Sequence, residues 1–153
     1  MYVDCDVEFK KDIESGFDLL RHFDFAVAQE RLAIRQLYNR PRAAWYHNII
    51  ERDATIEEVG ADGYFPFINS GVFFFKKNQA VQEVFARWRE EWQRWQEWDE
   101  QASLLRALVK SKARFFVLSE AYNYPHDDDP DAVIVHLYGK GAARSEANDQ
   151  THQ

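Results

Sequence analysis

An α/β sandwich with a mostly parallel sheet flanked by helices is the fold class the sequence predicts. Three observations point to it. Short apolar runs alternate along the chain with amphipathic stretches, the pattern of helices packed on a sheet. The run Val72-Phe73-Phe74-Phe75 is apolar without alternation, as in a strand covered on both faces. From Asn78 a stripe of Val81, Phe85, Trp88, Trp92 and Trp95 keeps helical spacing. With 153 residues, 46% hydrophobic and 16% aromatic, the chain can bury a real core.

Taken in order, Met1 to Cys5 predicts a short strand whose C-terminal end carries Asp4 and Asp6. Ile13, Phe17 and Leu20 share one helical face, although Gly16 weakens that helix. Phe25 to Ala28 reads as a second strand. Arg31 to Gly63 reads as a loop-rich insertion, interrupted by Pro41, with a helix possible over Ala43 to Arg52. Phe65 to Phe75 is the strongest strand, entered at Pro66 and containing Gly71. The aromatic stripe that follows suits a core face, the alternative being a ligand platform. Asp99 has the chemistry of a helix N-cap, with Ala102, Leu105, Leu108 and Val109 on the buried side of the helix it opens. Phe115 to Leu118 and Val133 to Leu137 complete the strands. Residues 1–140 form one domain, and 141–153 have the composition of a disordered polar tail.

Charge and cysteine count narrow the function. A formal net charge of −7 argues against a general nucleic-acid binder, which needs clustered Lys and Arg to neutralise phosphates. The single cysteine, Cys5, excludes an intramolecular disulfide and a multi-cysteine zinc site. No apolar run approaches the roughly 20 residues of a membrane span. Asp4, Asp6 and Glu8 interrupt the only candidate signal-peptide core. The expectation is a soluble, cytoplasmic domain.

Two aspartates one residue apart at a strand's C-terminal end form a compact anionic pair, where open α/β sheets bind ligands. Their hard oxygens suit Mg²⁺ or Mn²⁺, and a solvated turn is the plain alternative. His136 follows the apolar Ala132-Val133-Ile134-Val135 and precedes Leu137-Tyr138-Gly139-Lys140. It reads either as a hydrogen-bonded structural residue or, with Asp6, as a ligand to one divalent ion. Gly139 permits close backbone approach, and Lys140 is a point charge suited to phosphate.

Four segments then occur in a telling order: Met1-Tyr-Val-Asp-Cys-Asp-Val-Glu, Phe67-Ile-Asn-Ser-Gly-Val-Phe-Phe-Phe, Asp99-Glu-Gln-Ala-Ser-Leu-Leu and Ile134-Val-His-Leu-Tyr-Gly. The chain resembles the nucleotide-diphospho-sugar glycosyltransferases of the GT-A fold, and most closely their glycogenin and galactosyltransferase-like group. The resemblance spans Met1 to Lys140. It implies transfer of a sugar from a nucleotide-diphosphate donor, such as a UDP-sugar, to a hydroxyl of a glycan, protein or lipid acceptor, with Mn²⁺ or Mg²⁺.

By the same resemblance Asp4 faces the ribose and metal, Asp6 is the principal metal ligand, and His136 is the C-terminal metal-binding histidine. Lys140 matches a diphosphate-binding lysine, although its spacing from Gly139 departs from the family pattern. Asn69, Ser70 and Gly71 match the segment lining the sugar or acceptor pocket. Asp99, Glu100 and Gln101 match the acidic-Gln pair of the active-site helix, with either Asp99 or Glu100 as the functional acid. Such chemistry needs the departing diphosphate neutralised and the acceptor hydroxyl held in line.

In that family several nucleotide-binding strands precede the Asp-x-Asp strand, whereas only Tyr2 and Val3 separate Met1 from Asp4. The chain thus resembles the C-terminal part of such a domain, with the N-terminal nucleotide-binding strands missing. An exposed sheet edge, and self-association through it, are expected. The alternatives are an inactive truncated remnant or interaction module, and a haloacid-dehalogenase-like phosphatase. The phosphatase reading takes Asp4 and Asp6 as nucleophile and acid/base, and Asp127-Asp128-Asp129-Pro-Asp131 as a later acidic motif. Glu8 stands where that class has Thr or Ser.

Overall fold

Phe73 and its neighbours organise the molecule, because a run of aromatics in one strand needs cover on both sides of the sheet. The structure is a computed structural model that describes residues 1–38, 49–60, 62–95, 100–125 and 129–138. In chain order its elements begin with β1 (Tyr2–Val3), β2 (Val7–Phe9) and α1 (Glu14–Asp18), which runs into a 3₁₀ turn at Leu19–Arg21. There follow β3 (Phe25–Gln29), α2 (Ile34–Tyr38), α3 (Ile49–Val59), β4 (Ile68–Phe75), α4 (Gln79–Arg94) and α5 (Glu100–Lys110). β5 (Phe115–Leu118), a 3₁₀ turn at Glu120–Tyr122 and β6 (Ile134–His136) complete it. β1, β4, β3 and β5 form one sheet in that order, and β2 with β6 forms a separate two-stranded ribbon.

Side chains alternate across the sheet as the strand period requires. Phe25, Val27 and Phe73 face a core shared with α4 and α5 through Val81, Val84, Leu104, Leu105 and Leu108. Ala26, Ala28, Val72 and Phe74 face the other way, onto Tyr122, Ile134, Val7 and the α1 region. A helical layer therefore covers one face, and the ribbon with α1 covers the other. Gly16, which weakened α1 as a sequence signal, has a packing reason: a Cβ there would collide with the Phe74 ring. Among the described residues no helix is long and apolar enough to cross a membrane.

Two expectations are corrected. The sheet is mixed rather than mostly parallel: β1–β4, β3–β4 and β2–β6 are antiparallel, and β3–β5 is parallel. An uninterrupted apolar run signals two-sided burial, and burial does not set strand direction; β4 is central and buried yet antiparallel to both neighbours. Nor is Arg31 to Gly63 simply loop. It contains α2 and α3, whose Ile34 and Ile56 enter the core. The helix expected over Ala43 to Arg52 overlaps α3 only from Ile49, and 43–48 lie outside the described residues. The 141–153 tail, Asp127 and Asp128 also lie outside them.

Polar ties fix the layers. Asn78 caps α4, accepting from the Val81 N–H at 3.0 Å, and donates to Asp24 at 3.0 Å. Asp24 also accepts from the Arg114 N–H at 3.0 Å, joining the starts of β3 and β5 to that of α4. That backbone bond, with Asn78 and nearby Lys76 and Arg114, holds the Asp24 carboxyl below its ordinary 3.8 against the opposing effect of burial. A carboxyl whose pKa is depressed by folding contributes stability above its unfolded pKa and loses it as pH falls through the folded one. Asp24→Asn is therefore expected to flatten the acid limb of a stability-versus-pH curve below about pH 4. Urea titrations at stepped pH check it, and superimposable limbs would contradict the role.

Beneath α4, the fully buried Arg106 of α5 donates to Glu91 at 2.9 Å, to Glu51 at 2.8 Å, to Ser103 at 3.1 Å and to Thr55. This cluster ties α3, α4 and α5 into one layer. α5 also carries Glu100 and Gln101 at its N-terminus.

Candidate metal centre

The Asp-x-Asp segment crosses from one sheet to the other. Asp4 continues the β1 pairing, its N–H donating to the Gly71 carbonyl at 2.9 Å. Asp6 precedes β2, where Val7 lies opposite His136 in the ribbon, and its carbonyl accepts from the Leu137 N–H at 2.8 Å. The three side chains converge: one ligand atom from each of Asp4, Asp6 and His136 lies within 4.8 Å of the others. His136 Nε2 is 3.1 Å from Asp6 Oδ1 and 3.7 Å from Asp4 Oδ2. The imidazole is buried and the two carboxylates half-buried.

The hydrogen bonds behind the imidazole decide its tautomer. Asn123 is fully buried, and its Nδ2 donates to the Gln29 carbonyl at 3.3 Å, a group that can only accept. That orientation turns Asn123 Oδ1 towards His136 Nδ1 at 2.9 Å, so Nδ1 carries the proton. With Nδ1 engaged by Asn123, Nε2 is the ring atom that faces the two carboxylates. Such a cluster is repulsive unless a proton or a cation lies between its members, and one nitrogen with two hard oxygens is a donor set suited to Mn²⁺ or Mg²⁺.

Space for this convergence comes from Gly71. A Cβ there would stand 2.6 Å from His136 Cε1, 2.7 Å from Asp4 Oδ2 and 2.9 Å from Asn69 Oδ1. Asn69 in turn accepts from the Gly71 N–H at 2.8 Å and donates to Glu30 at 3.1 Å. Gly71→Ala is expected to weaken divalent-ion affinity by roughly 10–100-fold, as loss of a supporting contact at a metal site does. Calorimetry with Mn²⁺ on a variant of unchanged circular dichroism checks this; full affinity would contradict it.

On the other ring face Tyr138 stacks on His136, centroids 4.2 Å apart and planes within 9°. Tyr138 has a positive φ of 49°, uncommon for a residue with a side chain. Tyr2 donates to Asp4 Oδ1 at 2.8 Å. That bond foremost, then burial and the nearby negative charge, pushes the Tyr2 phenol up to about 12, so it stays a donor at neutral pH.

Of the other residues singled out by sequence, Ser70 and Glu100 approach each other, Oγ to Oε1, at 3.4 Å. Asn69, Ser70 and Gly71 lie side by side with Asp4 along β4, and Gln101 is buried in the first turn of α5. Asp99 and Lys140 lie outside the described residues. Sequence reasoning missed Asn123, Glu30 and the supporting tyrosines. Asn123, between Ala121-Tyr122 and Tyr124-Pro125, carries only the signal of a turn residue.

The chain thus combines a mixed α/β fold with two carboxylates and an imidazole that converge where two sheets meet. The chain belongs to the nucleotide-diphospho-sugar transferase family, whose model matches residues 1–139. No match was found among curated proteins or among solved structures. The family match does not favour the phosphatase, remnant or interaction-module alternatives.

Proposed function

We propose that this chain is a divalent-metal-dependent glycosyltransferase domain of the GT-A type, passing a sugar from a nucleoside-diphosphate donor to an acceptor hydroxyl. The convergence of Asp4, Asp6 and His136 Nε2 carries the reading. A bound Mn²⁺ or Mg²⁺ would supply the positive charge that neutralises the departing diphosphate. The protein's own contribution is to hold the ligand atoms in place. Asn123 fixes the imidazole tautomer, Tyr2 orients Asp4, and Gly71 leaves room for all three. Asn69, Ser70 and Glu100 offer polar atoms to sugar hydroxyls beside the cluster, with Asp99 as the alternative acid and Gln101 its neighbour. Lys140 serves the diphosphate in this reading.

The acceptor is a glycan, protein or lipid hydroxyl. The outer side of β1 has no strand partner in the described sheet, which supports self-association through that edge. The acidic, single-cysteine composition fits a cytoplasmic setting. The test is to incubate the full chain and Mn²⁺ with UDP-, GDP- and ADP-sugars and measure nucleoside diphosphate released. Release from one donor that stops on chelation is expected. Silence across the panel from folded, Mn²⁺-binding protein would overturn the reading.

A further inference from the structure

A cavity of about 480 Å³ opens beside the acidic cluster, lined by Tyr2, Asp4, Ser70, Phe85, Trp88, Arg89, Trp92 and Glu100. Its size falls in the range of small-ligand sites. Three of its aromatics belong to the α4 stripe that the sequence assigns to the core. Val81 of that stripe is buried, Phe85 and Trp88 pack against the core while still lining the cavity, and Trp92 is 38% exposed. The stripe is thus part core and part wall.

The wall is held in place. Tyr2 stacks on Phe73 at 4.8 Å between centroids, one face covered and the ring still lining the cavity. Trp88 meets Phe73 edge-on at 5.9 Å, and its indole N–H donates to the Glu100 carbonyl at 2.8 Å. Aromatic rings carry negative faces that attract the weakly positive C–H groups of a pyranose ring. The remaining lining is Asp4, Glu100 and Ser70, whose oxygens can accept from hydroxyls, and Arg89, whose guanidinium can donate. Flat apolar faces bordered by carboxylates and a hydroxyl match a carbohydrate, whose rings are apolar on their faces and hydroxylated at their edges. An acyl chain would leave the carboxylates desolvated without partners.

We propose that this cavity is the acceptor subsite and that it takes a pyranose ring of a glycan. The inference rests on the transferase reading and narrows its acceptor from three classes to one. Asp4 joins the two sites: Oδ1 is held by Tyr2 in the cavity wall, and Oδ2 faces His136.

The experiment is saturation-transfer NMR on the full chain with maltose, cellobiose, lactose and N,N′-diacetylchitobiose. Parallel arms use a detergent-solubilised polyprenyl phosphate and a Ser/Thr-rich peptide. Binding of Mn²⁺ with UDP is measured on the same protein by calorimetry. At least one disaccharide is expected to bind, with affinity falling roughly tenfold or more in Trp92→Ala, as for a central aromatic contact. Trp92→Phe should largely restore it. Phe116→Ala, on β5 at the opposite edge of the sheet, should leave it unchanged. Binding of the lipid or the peptide alone, or disaccharide binding indifferent to Trp92→Ala, would overturn the assignment. So would failure of every disaccharide to bind protein that does bind Mn²⁺ and UDP. Disaccharide binding without Mn²⁺ or UDP binding would uphold the subsite and count against the transferase reading. Loss of both would sink the two together.

Discussion

Asp6→Ala is expected to abolish Mn²⁺ binding while leaving the fold intact, because it removes the carboxylate closest to His136 Nε2, at 3.1 Å, from a half-buried position. Asn123→Ala is expected to act more weakly on the same ion, by roughly 10–100-fold in affinity, through the imidazole it orients. The two substitutions separate a ligand from its support. If Asn123 only fills space, Asn123→Leu should preserve affinity; if it selects the tautomer, Asn123→Leu should lose affinity as Asn123→Ala does. Calorimetric titration of the three variants with Mn²⁺ decides this, and full affinity in Asp6→Ala would remove the metal centre from consideration.

The second large effect is on stability. Arg106→Ala is expected to cost about 3–5 kcal/mol, the usual consequence of removing one partner from a buried ion pair. Glu51 would be left fully buried without its guanidinium partner, and Glu91 would keep its bonds from Lys110 and Arg94. Burial already pushes the Glu51 carboxyl up, against the lowering effect of Arg106. Glu51→Gln in the Arg106→Ala background should recover part of the loss by removing the stranded charge. Chemical denaturation of the single and double variants measures both. A single-variant cost under about 1 kcal/mol would mean that the cluster behaves like an exposed pair.

These two clusters also show what can be read from sequence and what cannot. β4 and α4 are legible because their signals are local: an uninterrupted apolar run, and a stripe at helical spacing that follows Asn78. Asp4 and Asp6 are legible because chemistry and spacing lie within three consecutive residues. α2 and α3 are not, since part of the buried face of α3 is polar. Glu51 and Thr55 are buried because Arg106 meets them from α5, and no pattern within α3 announces that partner. Asn123 is hidden for a related reason. It reaches His136 because the residue beside it, Tyr124, bridges Val135 next to that histidine. Strand direction is not legible, because hydrophobicity reports cover and carries no information about the chain's heading. The division of the aromatic stripe between core and cavity wall depends on which of its residues meet the core, which helical period alone does not specify.

The placement of Asp4 on one sheet and Asp6 beside the other has a mechanical consequence. A two-stranded ribbon is marginal by itself in water. Here β2 and β6 are seated against the main sheet by Val7, Ile134 and their apolar neighbours. An ion gripped by Asp4, Asp6 and His136 would act as a rivet across that joint. Occupancy of the centre and seating of the ribbon would then be a single event, so a substitution that loosens Val7 or Ile134 would register at the centre without touching a ligand.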